Sequence, residues 1–207
     1  MRFKNEADLQ KWLEQARSGT PKAAIKAASP EPRQLDPSVQ RRILGVDTAL
    51  RCTGWGIIDV RNGIMKAVDC GVIKNSSKEK VSDCLRRLSI GMRELVSLYK
   101  PDSAVMEGAF YFRNVHTALM LGSARGAVLA VLAENGIDVH EYAPRRVKQS
   151  VCGFGNASKE QVAVLVSQFL KIQTAHIALD ATDALAMAIC HAQTLATAGG
   201  FAVPPEL

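Results

Sequence analysis

Apolar and polar positions along this chain follow two different periods, and the changes between them mark its elements. Residues 43–47, 53–60 and 64–74 are short apolar or β-branched runs, which predicts three strands. The last two are joined by Arg61-Asn62-Gly63, and an Asn-Gly pair is a hairpin-turn signal, so an antiparallel meander is expected. A helical period follows over residues 79–99. Val81, Leu85, Leu88, Met92, Leu95 and Tyr99 form one stripe with Arg86, Arg87, Arg93 and Glu94 away from it, and Pro101 closes the segment. Residues 103–106 read as a short buried strand that runs into Glu107. A helix over 114–134 stops at Asn135-Gly136, residues 138–142 give a fifth strand, and an almost wholly apolar helix starts at Asp180-Ala-Thr-Asp183.

Ahead of the first strand the pattern is weaker. Residues 6–18 predict one amphipathic helix, capped by Asn5, with Leu9, Trp12, Leu13 and Ala16 on one face. Residues 20–37 carry Pro21, Pro30, Pro32 and Pro37 and read as a linker. Three parts are therefore expected: an N-terminal extension over 1–42, a main domain over 43–194 and a short C-terminal tail over 195–207. Three meandering strands followed by helix, strand, helix, strand and a helical tail make an α/β fold, a five-stranded mixed sheet flanked by helices. That order resembles the ribonuclease H-like fold, in which the first strand is central and the fourth pairs beside it. The resemblance implies that the strand ends carrying Asp47 and Glu107 come together.

Asp180 and Asp183 lie three apart, on one face of the first turn of a helix that must pack on the sheet. One reading makes Asp180 a cap and Asp183 a partner of the helix dipole. The other adds them to the two strand-end acids. Four carboxylates in a small volume repel by several kcal/mol unless a cation balances them. With no His or Cys nearby, hard oxygen ligands point to Mg²⁺, with Mn²⁺ as a substitute. Two such ions about 4 Å apart activate water and stabilise the leaving oxygen of a phosphodiester. His191, two turns beyond Asp183, is read as a core or helix-face residue.

Composition narrows the setting. A hydrophobic share of 47% supports a proper core, and the longest apolar runs fall short of the roughly 18 residues of a membrane span. The acids Glu6, Asp8 and Glu14 and the lack of an apolar leader near the start make a cytoplasmic protein the expectation. Five scattered cysteines, 52, 70, 84, 152 and 190, lack CxxC spacing and read as small buried hydrophobes. The net charge is +6, yet residues 1–42 hold nine Lys/Arg against five Asp/Glu, so +4 of it lies there. Nucleic-acid binding must therefore rest on local clusters. Arg145, Arg146, Lys148 and Lys159 form one, able to neutralise phosphates. Phe110-Tyr111-Phe112, beside Glu107, places aromatic surface where an exposed base can stack. Gly153, Gly155 and Asn156 suit a loop with backbone donors, and Gly122 and Gly126 suit close helix contact, within the fold or between protomers.

Taken together, these segments resemble the RuvC-type Holliday-junction resolvases over about 43–191. The matching stretches are 43–47 with 53–58, Glu107-Gly-Ala-Phe110 through Asn114, 118–126, 142–149, 153–159 and 180–186. The resemblance implies that Asp47, Glu107, Asp180 and Asp183 are metal-binding catalytic acids and that Lys148 and Lys159 sit near the scissile phosphate. It also implies DNA contacts from Phe110, Tyr111, Arg113, Asn114, Arg145, Arg146, Lys148 and Lys159, with Phe110 at the junction centre. The implied enzyme is a homodimer that resolves four-way DNA junctions by paired cuts, leaving 5′-phosphate and 3′-hydroxyl ends, with a branch-migration complex as a further partner. Where the family has Asp-Pro-Gly, this chain has Asp47-Thr48-Ala49. Three rivals remain. A different nuclease of the same fold acting on RNA or another DNA structure, or a junction-binding protein without catalysis, shares most of the features. An actin-like ATPase or sugar kinase needs a glycine-rich phosphate loop after the first acid, and Thr48-Ala49-Leu50-Arg51 is a poor one.

Overall fold

Ile43, Leu44 and Val46 are all fully buried, so consecutive residues of one strand face two different interiors. The structure is a computed structural model that describes residues 40–108, 114–174 and 176–197. The expected helix over 6–18, the linker over 20–37, the aromatics 110–112 with Arg113, and residues 198–207 lie outside the described residues.

Strand β1 (Arg41–Asp47) is the centre of a five-stranded sheet. It pairs antiparallel with β2 (Cys52–Arg61), which pairs antiparallel with β3 (Ile64–Lys74). On its other side β4 (Ser103–Glu107) runs parallel to it, and β5 (Asp138–Tyr142) runs parallel to β4, so the order is β3-β2-β1-β4-β5. The β2–β3 turn has Asn62 and Gly63 at φ 51° and 73°, the left-handed pair that a tight hairpin needs. Helix α1 (Val81–Tyr99) links β3 to β4, and α2 (Val115–Glu134) links β4 to β5. After β5 come α3 (Pro144–Cys152), α4 (Lys159–Leu170) and α5 (Leu179–Thr197).

Pleating divides the strand side chains between two cores. Leu44, Val46 and Ile57 pack with Leu88 and Met92 of α1 and with Val128 and Leu132 of α2. Ile43, Ile58 and Val105 pack on the other face with Val147 of α3, Val166 of α4 and Leu185 and Ile189 of α5. The meander, the two crossover helices and all five strands stand as the pattern predicts. Helices α3 and α4 are additions to that reading. They are short, with two and three buried residues, so each offers few periodic positions. Their end signals are stronger: Pro144 in the first turn and left-handed Gly153 after α3, then a Ser158–Gln161 capping box opening α4.

Helix α5 lies unusually close to the sheet, and glycines make that possible. A Cβ at Gly45 would stand 1.9 Å from the Ala184 carbonyl oxygen, and one at Gly54 would stand 2.0 Å from that of Asp180. Either would drive the helix off the strands that carry it. We expect Gly54→Ala to lower stability by about 1 to 3 kcal/mol or more, the usual cost of overpacking. Urea unfolding of the two proteins measures this, and an unchanged midpoint would mean that the helix does not depend on this approach.

Candidate active site

Register and packing bring the acids to one place. Val46 lies opposite Met106 in the parallel β1–β4 pair, so the next residues, Asp47 and Glu107, leave the sheet side by side at the carboxyl ends of their strands. The first turn of α5 sits over Gly54, and Asp180 and Asp183 follow one another on that turn. Ala181 and Thr182 donate their backbone N–H groups to the Ala178 carbonyl, so Asp180 is inside the helix and does not cap it. Carboxylate oxygens of Asp47, Asp180 and Asp183 all lie within 4.8 Å of one another. Glu107 is outside that tight group but lines the same cavity of about 210 Å³ with Asp47, Asp183, Lys148 and Lys159. Pro144, Val147, Val162, Ala186 and Met187 form its apolar wall.

Crowding sets the electrostatics. Asp47 is pushed up to about 7, first by desolvation and then by the charges of Asp183, Glu107 and Asp180, with Lys159 opposing. Glu107 is raised as well, by desolvation and by Asp183, against Lys159, Lys148 and Arg125; its outer edge stays in solvent, which moderates the effect. Lys159 answers part of this charge. Its Nζ stands 2.6 Å from Asp183 Oδ2 and 3.7 Å from Asp180 Oδ1. The hydrogen bond to Asp183 raises the Lys159 pKa. Lys159 is the first residue of α4, where the helix dipole disfavours a cation, so the carboxylates and not the helix hold it there.

The remaining sequence candidates divide. Lys148 lines the cavity, whereas Arg146 places its guanidinium 5.4 Å from the Tyr142 ring centroid, turned towards the packing of α3 on α5. Arg145 is exposed beside Gly155. Asn114 caps α2, its side chain accepting the Thr117 N–H at 3.2 Å. Phe110, Tyr111 and Arg113 lie outside the described residues. His191 is buried away from the acids, its Nδ1 2.9 Å from the Tyr142 hydroxyl and its ring stacked on His140. Burial lowers its pKa to about 3, which keeps it neutral.

Two supporting residues carry no sequence signal of their own. The Cys52 thiol hydrogen-bonds Asp180, and desolvation first, then that bond and charge, push it up to about 11, so it stays protonated. Thr53 holds the turn after Asp47: its hydroxyl donates to the Ala49 carbonyl at 2.6 Å and accepts the Ala49 N–H at 3.3 Å. Among the described residues positive φ outside glycine occurs at Asn62, Lys100 and Lys171, so the Thr48-Ala49 turn has no need of a glycine.

The donor set fits a hard divalent cation. Three clustered carboxylates offer oxygen ligands, their mutual repulsion favours positive charge between them, and the Thr48 hydroxyl beside Asp47 is buried with no partner among the described residues.

Comparison with known proteins gives one answer. A family model described as crossover junction endodeoxyribonuclease RuvC matches residues 43–191. The crossover junction endodeoxyribonuclease RuvC of Chloroflexus aurantiacus is 42% identical over 156 residues, covering 75% of this chain and 95% of its own. Thermus thermophilus RuvC superposes with a TM-score of 0.70 at 30% identity, covering 80% of this chain and 99% of its own. The structure of that protein in complex with a Holliday junction substrate gives 0.72 with the same identity and coverage.

The raised Asp47 pKa has a sign that can be measured. Its folded value of about 7 exceeds the ordinary 3.8, so its contribution to stability is full below about pH 4 and is lost as pH rises through 7. In chelator, the melting temperature should therefore fall between about pH 4 and 7. Asp47→Asn should flatten that fall and stabilise the metal-free protein by on the order of 2 to 4 kcal/mol at pH 8. Destabilisation by Asp47→Asn under those conditions would show that the acids do not repel.

Proposed function

The chain belongs to the RuvC family of crossover junction endodeoxyribonucleases, and from that membership we propose that it resolves four-way DNA junctions by metal-dependent phosphodiester hydrolysis. The cuts are paired and leave 5′-phosphate and 3′-hydroxyl ends. The observation that carries this reading is the carboxylate cluster of Asp47, Asp180 and Asp183, with Glu107, Lys148 and Lys159 on the same cavity. The relative solved with a Holliday junction supports the substrate class.

We assign Asp47, Glu107, Asp180 and Asp183 to two Mg²⁺ ions, or Mn²⁺ in their place. Such ions, when bound, lower the pKa of water and offset charge on the phosphate and the leaving oxygen. Lys148 and Lys159 stand at the same opening on separate helices, so their ammonium groups meet the phosphate oxygens from fixed positions. The apolar wall of Val147, Val162 and Met187 keeps water from one side and strengthens those interactions. Arg145, Arg146, Arg113 and Asn114 contact the DNA backbone and Tyr111 also meets the DNA, while Phe110 stacks on a base at the junction centre, a contact worth about 1 to 3 kcal/mol per base.

Paired cuts need two sites, and a homodimer supplies them. Helix α2 carries more apolar surface than its own core takes up. Val115 and Leu119 are 72% and 61% exposed, and among the described residues a Cβ at Gly122 or Gly126 would meet nothing within 4 Å. The two glycines are therefore not needed for packing within the fold, which favours contact between protomers. The length and composition of α2 would suffice to cross a bilayer, but Ala124, Val128, Val131 and Leu132 pack it into the core. We place the protein in the cytoplasm with its DNA, in keeping with five free cysteines, and expect a branch-migration complex to deliver the junction.

A mobile four-way junction, linear duplex and RNA–DNA hybrid, each with Mg²⁺ and with chelator, test the activity. Cleavage of the junction alone, lost in chelator and in Asp47→Asn while Asp47→Asn still binds the junction, is expected. Preferential cutting of the hybrid would assign the protein to another ribonuclease H-like nuclease. For the dimer, Gly126→Leu should convert the protein to a folded monomer in sedimentation and turn paired cuts into single nicks. A dimer that persists would move the interface off α2.

A further inference from the structure

Arg125 joins three elements at the end of the sheet where the acids emerge. It is rooted on α2, its Nη1 donates to the Glu107 backbone carbonyl at 2.6 Å, and its Nη2 is paired with the Glu141 carboxylate. Glu107 is the last residue of β4, and Glu141 lies opposite Met106 on β5. The Arg125 side chain is only 14% exposed, and burial lowers its pKa, so the protein bears a desolvation cost to keep a cation here.

The place of that guanidinium matters because β4 ends at Glu107. Gly108 adds one more backbone bond, its N–H donating to the Tyr142 carbonyl at 2.9 Å, and the chain then leaves the sheet. That bond ties the N–H side of the Glu107–Gly108 peptide to β5, the carbonyl on its other side takes its hydrogen bond from Arg125, and the plane so held sets the direction of the side chain. A planar guanidinium that holds the carbonyl with one arm and a second strand with the other secures the carbonyl side of that peptide, as a lysine ammonium cannot. Asp180 and Asp183 are held by the seating of α5, whereas Asp47 and Glu107 each end a strand, opposite Gly54 on β2 and Tyr142 on β5.

We propose that Arg125 is a positioning residue for cleavage, which clamps the Glu107 peptide to β5 through Glu141 and so directs the Glu107 carboxylate into the catalytic cavity. This rests on the nuclease reading above. It is a role distinct from phosphate binding, because both arms are taken by protein groups.

The test uses the full-length protein with Arg125→Met, Arg125→Lys, Glu141→Gln and, as a benchmark, Glu107→Gln. Single-turnover cleavage at saturating junction, junction affinity in chelator, Mn²⁺ affinity of the DNA-free protein by calorimetry, and the urea midpoint are measured on each. Arg125→Met should cleave roughly 30- to 100-fold more slowly, as misplacement by about an ångström does. Its Mn²⁺ affinity should fall roughly tenfold, in the direction of Glu107→Gln, as loss of an outer-shell partner does. Junction affinity should stay within about twofold, since no phosphate contact is lost. Arg125→Lys should fall between, and Glu141→Gln, which removes the charge of the ion pair but leaves the Glu107 carbonyl bond in place, should lose less than Arg125→Met. Parallel loss of junction affinity and cleavage, or unchanged Mn²⁺ affinity in folded Arg125→Met, overturns the proposal. Should Arg125→Met not fold, Arg125→Lys decides, and wild-type Mn²⁺ affinity and rate in that variant overturn it. If the wild type leaves junctions uncut, the nuclease reading fails, while the Mn²⁺ comparison with Glu107→Gln still decides whether Arg125 places that acid.

Discussion

The seating of α5 on the sheet is the constraint on which the site depends. At Gly45 and Gly54 the helix backbone occupies the space a side chain would take, and Gly56 lies under Leu185 in the same way. Hydrophobic burial drives that contact, since Ala181, Ala184, Leu185, Ala188 and Ile189 are all fully buried. Its consequence is chemical. A helix held this near to β1 and β2 delivers Asp180 and Asp183 to Asp47 within a distance that solvated side chains would not choose.

That packing leaves an electrostatic debt in the metal-free protein. Desolvation and three neighbouring acids raise Asp47 to about 7, so Asp47 is only partly ionised at neutral pH unless cations are present. Lys159 meets part of the demand at 2.6 Å from Asp183, from a helix start where its own charge is disfavoured. Capping by Ser158 and Gln161 stabilises the helix start that the lysine opposes. Local stability is given up at one residue and recovered from its neighbours, which is the pattern expected where charge is placed for function.

Much of this arrangement is legible in the sequence, because strands ending in Asp47 and Glu107 and an apolar helix beginning with two acids leave few ways to fold. What is less legible depends on tertiary contact. The spacing of four acids does not distinguish the tight group of Asp47, Asp180 and Asp183 from Glu107 at its edge; that difference arises from α5 packing on β1 and β2 while β4 stands one strand further on. A basic run reads alike at every residue, yet Lys148 lines the cavity and Arg146 lies over Tyr142, because a helix turns successive side chains to different faces. Arg125 falls within a stretch that carries the resemblance, but its role gives no signal in a helix whose apolar residues dominate, since its partners are a carbonyl and a glutamate on other elements.

The turn after Asp47 shows how a departure in sequence can leave geometry intact. Proline and glycine hold a turn through backbone preference, proline by fixing φ and glycine by allowing left-handed conformations. Thr48 and Ala49 have neither property, and side chains from outside the turn do the holding. Thr53 bonds Ala49 from β2, the Asn75 amide donates to the Leu50 carbonyl at 2.7 Å, and Arg51 reaches the Ser76 carbonyl at 2.5 Å. Leu50 is buried in the core beneath them. A turn built this way is anchored to β2 and to the segment after β3, so Asp47 is located by the sheet as a whole more than by its two following residues. The same logic places Glu107 through Arg125. In both cases the strand end that carries the acid is fixed by a side chain arriving from another element, and the metal-binding geometry is a property of those cross-links as much as of the carboxylates.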